Sequence, residues 1–386
     1  MKADFLFFNM LFLALALTGC GEVRTGSEPI KGKEQADGNV QLMIGQDLNS
    51  IRGYVKSAKY PAPSGVTTYL SFYNLLSTSA PAYGGLGLDQ RGYPTNKAVD
   101  WGAGPLNTLA LAREYPQAAL NIGLNIAEGN QSTVWVEGGL VAIARGEYDK
   151  EINHLAVFFR LINNPVYLRI GYEFDGAWNR GYDNTRQYIA AYKHIVDKLR
   201  EKQVRNVAFV WQGSASPIDD ILESKHEDIT HWYPGDGYVD WVGLSWFLTP
   251  DKSVKGAKTQ RELANELLRF ARLKKKPVII AEASPQGYDL NEMTQSNISS
   301  VWDGESGANK KPVTSAQVWQ EWYAPFFTFI HNNKDVIKVV SYINADWDSQ
   351  PLWSAPYSGG YWGDSRVQMN AEISKKWLLE VGNNAF

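Results

Sequence analysis

Short apolar segments alternate with longer amphipathic ones between residues 40 and 343. Continuous apolar runs of five to eight residues are typical of strands buried on both faces, as in a parallel sheet. The predicted strands are Val40–Gly45, Val66–Tyr73, Ala118–Leu124, Val166–Ile170, Val207–Trp211, Val239–Trp246, Pro277–Glu282 and Ile337–Ile343.

The intervening segments carry helical spacing and recognisable helix starts, including capping boxes that begin at Thr259 and Thr314. Eight strand–helix alternations predict an α/β protein with a single (β/α)8 TIM barrel over residues 40–386. The main alternative is a doubly wound sheet, which would need a phosphate-binding glycine loop between an early strand and its helix. The run Gly84–Gly87 does not stand in that position, so the barrel is favoured.

The N-terminus has the pattern of a bacterial lipoprotein signal. Lys2 precedes the apolar run Phe5–Leu17, which is too short to cross a membrane comfortably, and the segment closes at Cys20, the only cysteine of the chain. We expect a signal peptide over residues 1–19, lipidation of Cys20 and a flexible tether over residues 20–39. The protein would then be anchored in the bacterial cell envelope. A plain signal peptide with a chance cysteine is the alternative.

The amino-acid composition limits the kinds of ligand that the protein is expected to bind. The net charge is −3, and no basic block interleaves with aromatics, so a nucleic-acid partner is not expected. The five histidines are scattered without a metal-ligand spacing, and no metal or cofactor is expected. The 14 Trp and 20 Tyr either form a large core or offer flat rings for sugars. Several tryptophans stand in polar, loop-like sequence: Trp178, Trp211, Trp246, Trp347, Trp353 and Trp362.

Two glutamates stand where a barrel carries its chemistry. Reactive groups of TIM barrels lie at the C-terminal ends of strands, and Glu173 and Glu282 follow the fourth and the seventh apolar runs. A carboxylate there is costly unless it is paired or used. Glycosidic cleavage needs two such groups, one to protonate the leaving oxygen and one to stay ionised. A structural alternative is a buried salt bridge, for example to Arg169.

These segments resemble the clan A glycoside hydrolases, and most closely glycoside hydrolase family 26. Arg169 precedes Glu173 by four residues as in that family, with Gly176 and Trp178 following. The stretches Tyr233–Leu244 and Lys276–Glu282 resemble its sixth and seventh strands, and Trp347 its aromatic platform after strand eight. The resemblance runs from about strand four to strand eight.

The resemblance implies a retaining mechanism with Glu173 as acid/base and Glu282 as nucleophile, which Arg169 would keep ionised. Asp175 is either a subsite hydrogen bonder or a turn residue. Trp178, Trp211 and Trp246 are candidate stacking residues, each of which could instead pack in the core. Asp47 and Asp89 are weaker candidates for distal sugars, with a capping or turn role favoured for both.

The chain departs from the family pattern at two places. Tyr172 replaces the usual histidine before the acid/base, a position expected to contact the sugar 2-hydroxyl. Trp246 and Phe247 stand where a tyrosine that hydrogen-bonds the nucleophile is expected, and Tyr172 or Arg169 could supply that contact instead.

The leading hypothesis is a monomeric, retaining endo-β-glycosidase that acts on a polysaccharide or oligosaccharide. β-Mannan, mixed-linkage or β-1,3-glucan, β-1,3-xylan and algal galactans all remain open. A non-catalytic glycan-binding lipoprotein on the same barrel would need the aromatics but not both carboxylates. An inverting or non-glycosidic barrel hydrolase is a third hypothesis, which a wide carboxyl separation would favour.

Overall fold

The computed structural model describes residues 39–57, 59–76, 85–100, 102–129, 135–253, 255–299, 309–353 and 360–382. The predicted signal peptide and Cys20 lie outside the described residues. Among those that are described, no helix is long and apolar enough to cross a membrane.

Eight parallel strands close into a barrel, so the predicted fold is confirmed. Each strand neighbours the next one in the chain, and the last strand, β11, pairs with both β7 and β1. The predicted strand limits are met to within two residues. The barrel strands are β1 (Gln41–Gly45), β2 (Gly65–Ser71), β3 (Ala119–Asn125), β4 (Val166–Ile170), β5 (Val207–Gly213), β6 (Trp241–Trp246), β7 (Val278–Ala283) and β11 (Ile337–Ile343).

A small antiparallel sheet is inserted between β7 and β11. Its strands are β8 (Tyr288–Asp289), β9 (Thr294–Gln295) and β10 (Lys311–Pro312).

Helices occupy the crossovers between barrel strands. Both predicted capping boxes are present, at Thr259 and at Thr314. The α-helices are α1 (Leu48–Lys56), α2 (Thr108–Glu114), α3 (Gly139–Ala144), α4 (Asp149–Leu161), α5 (Thr185–Glu201), α6 (Pro217–Glu223), α7 (Gln260–Lys274), α8 (Ser315–Val318), α9 (Ala324–His331) and α10 (Ala371–Gly382). A π-helical segment, Trp319–Tyr323, joins α8 to α9. Short 3-10 helices are Phe72–Asn74, Ile229–Trp232, Trp347–Ser349, Pro351–Trp353 and Val367–Met369.

The strands bury both faces, and their side chains alternate between two cores. On β4, Tyr167 packs inside the barrel, whereas Leu168 and Ile170 join the layer between the barrel and the helices. The interior cluster is Met43, Ala119, Tyr167, Ala208, Val210, Trp241, Ile279, Ala281 and Val339. Further along the strands the interior becomes polar, which places a charged site at the C-terminal mouth of the barrel.

Two aspartates considered for distal sugars have structural roles, as favoured. Asp47 is fully buried and caps α1 by accepting hydrogen bonds from the amides of Asn49 and Ser50. Asp89 closes a turn by accepting from the amides of Arg91 and Tyr93.

Candidate active site

Glu173 and Glu282 are joined at the barrel mouth by a short hydrogen-bonded chain. Ser245 Oγ, at the end of β6, donates to Glu173 Oε1 at 2.8 Å. Gln212 Nε2, at the end of β5, lies 3.0 Å from Ser245 Oγ and 3.2 Å from Glu282 Oε1. Two side chains therefore connect the carboxylates, which face the same space across the mouth.

A β-bulge turns Glu282 into the barrel. Ile279 points inwards, and strict alternation would direct Ala281 inwards and Glu282 outwards. The pairing with β6 instead steps from Leu244–Ile280 to Ser245–Glu282, so Ala281 is an extra residue in the ladder. Bulges of this kind re-aim a side chain next to an active site. The carboxylate consequently joins the interior polar cluster and is only 6% exposed.

Arg169 forms an ion pair with Glu282 in which its Nη1 donates to Glu282 Oε1, as the resemblance implies. The guanidinium is fully buried, and Nη1 also donates to Gln212 Oε1 at 3.0 Å. Its Cζ lies 5.0 Å from the ring centre of Tyr69 and 5.1 Å from that of Tyr172. A buried charge is costly unless it is paired, so the carboxylate and the two rings together stabilise the cation.

Glu173 stands on a sharp turn at the end of β4. Its φ is +54°, in the left-handed region that non-glycine residues rarely adopt. The amide of Gly176 and the side-chain amide of Asn179 both donate to its carbonyl oxygen, at 2.9 and 3.0 Å. The following residue, Phe174, stacks on Trp211 in the outer core at 4.3 Å between ring centres. The turn thus sends Phe174 into the core and leaves Glu173 at the cleft.

Trp178 folds back over the turn and donates from Nε1 to Glu173 Oε2 at 3.1 Å. Gly176 makes this possible, because a Cβ there would lie 2.5 Å from Trp178 Cε2. Each carboxylate oxygen of Glu173 therefore has one donor, Ser245 or Trp178. The indole is partly exposed at the cleft, in keeping with its predicted place in the site.

Burial and the nearby charge of Glu282 raise the pKa of Glu173 to about 8. The donors Ser245 and Trp178 lower it, but they do not offset these two effects. Glu173 is therefore protonated at neutral pH, whereas the partner that faces Glu282 is the permanently charged Arg169. One carboxyl group is set up to give a proton, and the other is paired with a positive charge.

Asp175 joins two loops through its carboxylate, and its role as a sugar ligand stays a prediction. Its Oδ1 accepts from the amide of Ser214 at 2.6 Å, just after β5. Reciprocally, Asp219 on α6 accepts from the amide of Ala177 at 2.6 Å. Burial raises the pKa of Asp175 to about 6, and burial together with the charge of Asp175 raises the pKa of Asp219 to about 9. The pair clamps the loop that carries Glu173 and Trp178.

Three of the four tryptophans predicted to stack on sugar lie in cores, so those predictions are corrected. Trp211 is fully buried, and Trp246 is fully buried against Phe329. Both belong to the layer between barrel and helices, because neighbouring strand residues point to opposite faces. Trp347 follows β11 as the resemblance requires but is only 1% exposed, covered by Trp353 and Trp362.

Tyr172 lies at the cleft, partly exposed, with its ring 5.6 Å from that of Tyr69. It therefore occupies the place expected of the residue before the acid/base, beside Arg169.

Three further polar side chains, Gln212, Ser245 and Tyr69, point into the polar mouth and were not predicted from the sequence. Alternation along the strands is the signal that could have found them. Gln212 follows the interior residues Ala208 and Val210 at spacings of two, and its neighbour Trp211 must then point outwards. Within the described ranges, no group of three or more acidic, histidine or cysteine side chains is arranged to hold a metal ion.

Comparison with known proteins agrees with this geometry. The profile of glycosyl hydrolase family 26 matches residues 149–275, which include the Glu173 turn. The β-1,3-xylanase TXYA of a Vibrio species is 36% identical over 360 residues, covering 92% of this chain and 68% of that protein. A β-1,3-xylanase of an Alcaligenes species is 34% identical over 373 residues, covering 96% and 70%.

Among solved structures, an endo-β-1,4-mannanase of Cellulomonas fimi, determined as a double mutant, superposes with a TM-score of 0.54 at 14% identity. It covers 90% of this chain and 71% of that one, so the likeness extends over the whole barrel. The predicted family resemblance is confirmed: the chain belongs to glycosyl hydrolase family 26 and is a retaining endo-β-glycosidase of β-linked polysaccharides.

Proposed function

We propose that this enzyme hydrolyses β-1,3-xylan, with Glu282 as nucleophile and Glu173 as acid/base. One observation carries the assignment of the two roles. A carboxyl group that is protonated at neutral pH faces, across Ser245 and Gln212, a carboxylate that is paired with a buried arginine.

In the first step, a free electron pair of Glu282 attacks the anomeric carbon while the glycosidic bond breaks. Glu173 gives its proton to the departing oxygen, so the leaving sugar departs neutral and a glycosyl ester forms on Glu282. Arg169 and Gln212 both bind Glu282 Oε1, which leaves Oε2 for attack. In the second step, Glu173 takes a proton from water, the water oxygen attacks the anomeric carbon, and Glu282 leaves as carboxylate.

The electrostatics of the pair favour this exchange of roles. In the free enzyme, burial and the charge of Glu282 raise the pKa of Glu173 to about 8. Formation of the ester removes the charge of Glu282, so the pKa of Glu173 falls once its proton has been given away. Glu173 is then ionised when it must act as a base.

The substrate assignment is supported by the relatives. Two proteins that are 36% and 34% identical over more than nine-tenths of this chain are β-1,3-xylanases. Tyr172, at the position where the family usually has histidine, accords with a sugar other than mannose. β-1,3-Xylan is a neutral polymer, in keeping with the small net charge of −3.

Product analysis on purified polysaccharides tests the substrate. We expect β-1,3-linked xylo-oligosaccharides from β-1,3-xylan, with at least tenfold slower cleavage of β-mannan, mixed-linkage glucan, β-1,3-glucan and algal galactan. Faster release from any of the other polymers would contradict the assignment. Proton NMR of the first product tests the mechanism, since a retaining enzyme releases the β-anomer before mutarotation.

Two variants test the roles of the carboxylates. Glu282→Ala should abolish hydrolysis with binding retained. Glu173→Ala should lose activity on the polysaccharide but keep the glycosylation step on substrates with good leaving groups, which need little protonation. Glu128→Gln is a matched control, because among the described residues the carboxylate of this buried glutamate after β3 accepts from the amide of Leu140, outside the pair of reacting carboxyl groups. Near-full activity of Glu282→Ala would refute the nucleophile assignment.

We propose further that the enzyme is anchored in the bacterial cell envelope through a lipid on Cys20. The support is the sequence pattern of a charged start, the apolar run Phe5–Leu17 and the cysteine that follows it. Expression of the full chain with a clickable fatty-acid analogue should label the wild type and not Cys20→Ser. Equal labelling of both proteins would exclude the anchor.

The enzyme is also proposed to act as a monomer. Both carboxylates and their partners come from strands of one chain, so the site is complete without a second copy. Light scattering of the protein without its first 19 residues should give the mass of a single chain, and a stable dimer would contradict this.

A further inference from the structure

Tyr69 lies in the barrel mouth beside Arg169, the buried partner of Glu282. It lies on β2 and follows the interior residue Thr67 at a spacing of two, so its ring points into the barrel. The side chain is only 6% exposed. Its ring lies beneath the guanidinium of Arg169, the same group that pairs with Glu282.

The Tyr69 hydroxyl has no structural use in the described part of the chain. It is buried, and no group there completes a hydrogen bond of normal geometry with it. An unsatisfied buried hydroxyl costs free energy, and phenylalanine would offer the same ring to Arg169 and Tyr172 without that cost. The hydroxyl is therefore retained at a position where the fold alone would favour its loss.

The electrostatic environment of this hydroxyl identifies its neighbour. Burial raises the pKa of Tyr69, and the negative charge of Glu282 raises it further, whereas Arg169 acts in the opposite direction. The phenol thus keeps its proton at neutral pH, and Arg169, which lies over its ring, brings Glu282 to the same part of the barrel mouth. A hydroxyl that donates to a carboxylate makes a stronger hydrogen bond than one that donates to a neutral group.

The packing around Tyr69 keeps room for this arrangement. Gly123, opposite Tyr69 in the β2–β3 ladder, has no side chain where three groups converge. A Cβ there would lie 2.6 Å from Tyr69 Cδ1, 3.0 Å from Arg169 Nη2 and 3.0 Å from Tyr172 Cε1. The β6 strand, by contrast, offers no phenol, since Trp246 points outwards into the helix layer.

We propose that Tyr69 is a catalytic residue whose hydroxyl donates a hydrogen bond to Glu282 and holds this carboxylate oriented for attack. The inference rests on the proposed role of Glu282 as nucleophile. It places on β2 the contact that the family resemblance led us to expect from the residues after β6. No covalent step is added, because the hydroxyl keeps its proton throughout.

The test compares Tyr69→Phe with Tyr167→Phe. Both variants remove one phenol oxygen from a ring inside the barrel, but Tyr167 packs against Trp241 in the apolar part of the interior. We expect Tyr69→Phe to lower kcat about 10- to 100-fold with KM within about twofold of wild type, the range for one hydrogen bond to a charged group. Tyr167→Phe should stay within about twofold in both constants.

Leaving-group dependence separates this role from a general loss of structure. Aryl β-xylobiosides with good and poor leaving groups should lose the same factor in Tyr69→Phe, because a weaker nucleophile slows attack on all of them. Glu173→Ala should instead lose most on the poor leaving groups. A kcat within twofold of wild type, or a loss confined to poor leaving groups, would overturn the proposal.

Two further measurements separate a loss of folding from the loss of the hydrogen bond, and a wrong function from a wrong role of Tyr69. Should the phenylalanine variant fail to fold, 4-aminophenylalanine at position 69 keeps a weaker hydrogen-bond donor on the same ring, and kcat should then fall below that of wild type with KM unchanged. A kcat equal to that of wild type would overturn the proposal. Wild-type activity is measured first: a wild type that cleaves no β-glycan refutes the proposed function, whereas an active wild type matched by Tyr69→Phe refutes only the role of Tyr69.

Discussion

Ser245→Ala should move the alkaline limb of the pH–activity profile to higher pH. The alkaline limb of kcat/KM reports loss of the acid's proton in the free enzyme, and the pKa of Glu173 is raised to about 8. Ser245 Oγ donates to Glu173 Oε1 at 2.8 Å and so favours the ionised form. Removing it favours the protonated form and raises the pKa.

The size of the shift follows from one hydrogen bond. A bond to a charged group contributes about 1.5–3 kcal/mol, and about 1.4 kcal/mol corresponds to one pKa unit. The alkaline limb should therefore move up by about one to two units. The assay is kcat/KM on a neutral β-xylo-oligosaccharide, measured from acid to alkaline pH over the range in which the circular dichroism spectrum stays unchanged.

Ser284→Ala is the matched control. This hydroxyl is also buried next to the site, two residues after Glu282, but it has no hydrogen-bond partner among the described residues. Its removal should leave the alkaline limb in place. If the alkaline limb of Ser245→Ala lies at the same pH as that of wild type, or at a lower pH, either Glu173 is not the acid or Ser245 is not its donor.

Three further predictions concern the surroundings of the carboxylates. Trp211→Ala should cost about 3–5 kcal/mol in denaturant unfolding because it empties a core position, while KM stays unchanged; a raised KM with normal stability would restore it as a sugar ligand. Asp219→Asn should flatten the dependence of stability on pH. Because the pKa of Asp219 is raised to about 9, the folded state keeps a proton that the unfolded state releases near pH 4. The free energy of unfolding of wild type therefore falls by up to about 1.4 kcal/mol per pH unit between about pH 4 and about pH 9. Thermal unfolding of both proteins at pH 5 and pH 8 measures the difference. Gly176→Ala should lower kcat about tenfold, equivalent to about 1.4 kcal/mol, with an unchanged circular dichroism spectrum, since the new Cβ displaces Trp178 from Glu173; wild-type kcat would show that the indole bond is dispensable.

The barrel could be predicted from the sequence because its strands are buried on both faces. Such strands are unbroken apolar runs, and Val166–Ile170 and Ile337–Ile343 have the limits that the sequence predicts. Positions at strand ends follow directly, so Glu173 and Glu282 could be selected before their distance was known.

The environment of each side chain was harder to predict, because it depends on which face of a strand a residue occupies. Trp211 and Trp246 stand next to the site residues Gln212 and Ser245 in the chain, yet they point into the opposite layer. Even alternation would fail for Glu282, since the bulge at Ala281 reverses its direction. The contacts of Asp175 could not be predicted, because its partners, the Ser214 amide and Asp219, become neighbours only in the folded protein.

The left-handed turn at Glu173 sets activity against stability at a single position. A non-glycine residue at a φ of +54° costs about 1–2 kcal/mol, and the buried carboxyl adds to that cost when it ionises. Glycine at this position would remove both the backbone cost and the cost of ionising the carboxyl group, but it would also remove the acid that protonates the leaving oxygen. Selection for thermostability alone would therefore tend to discard the acid, and a stabilised variant of this enzyme has to gain its stability elsewhere, for example in the outer helices.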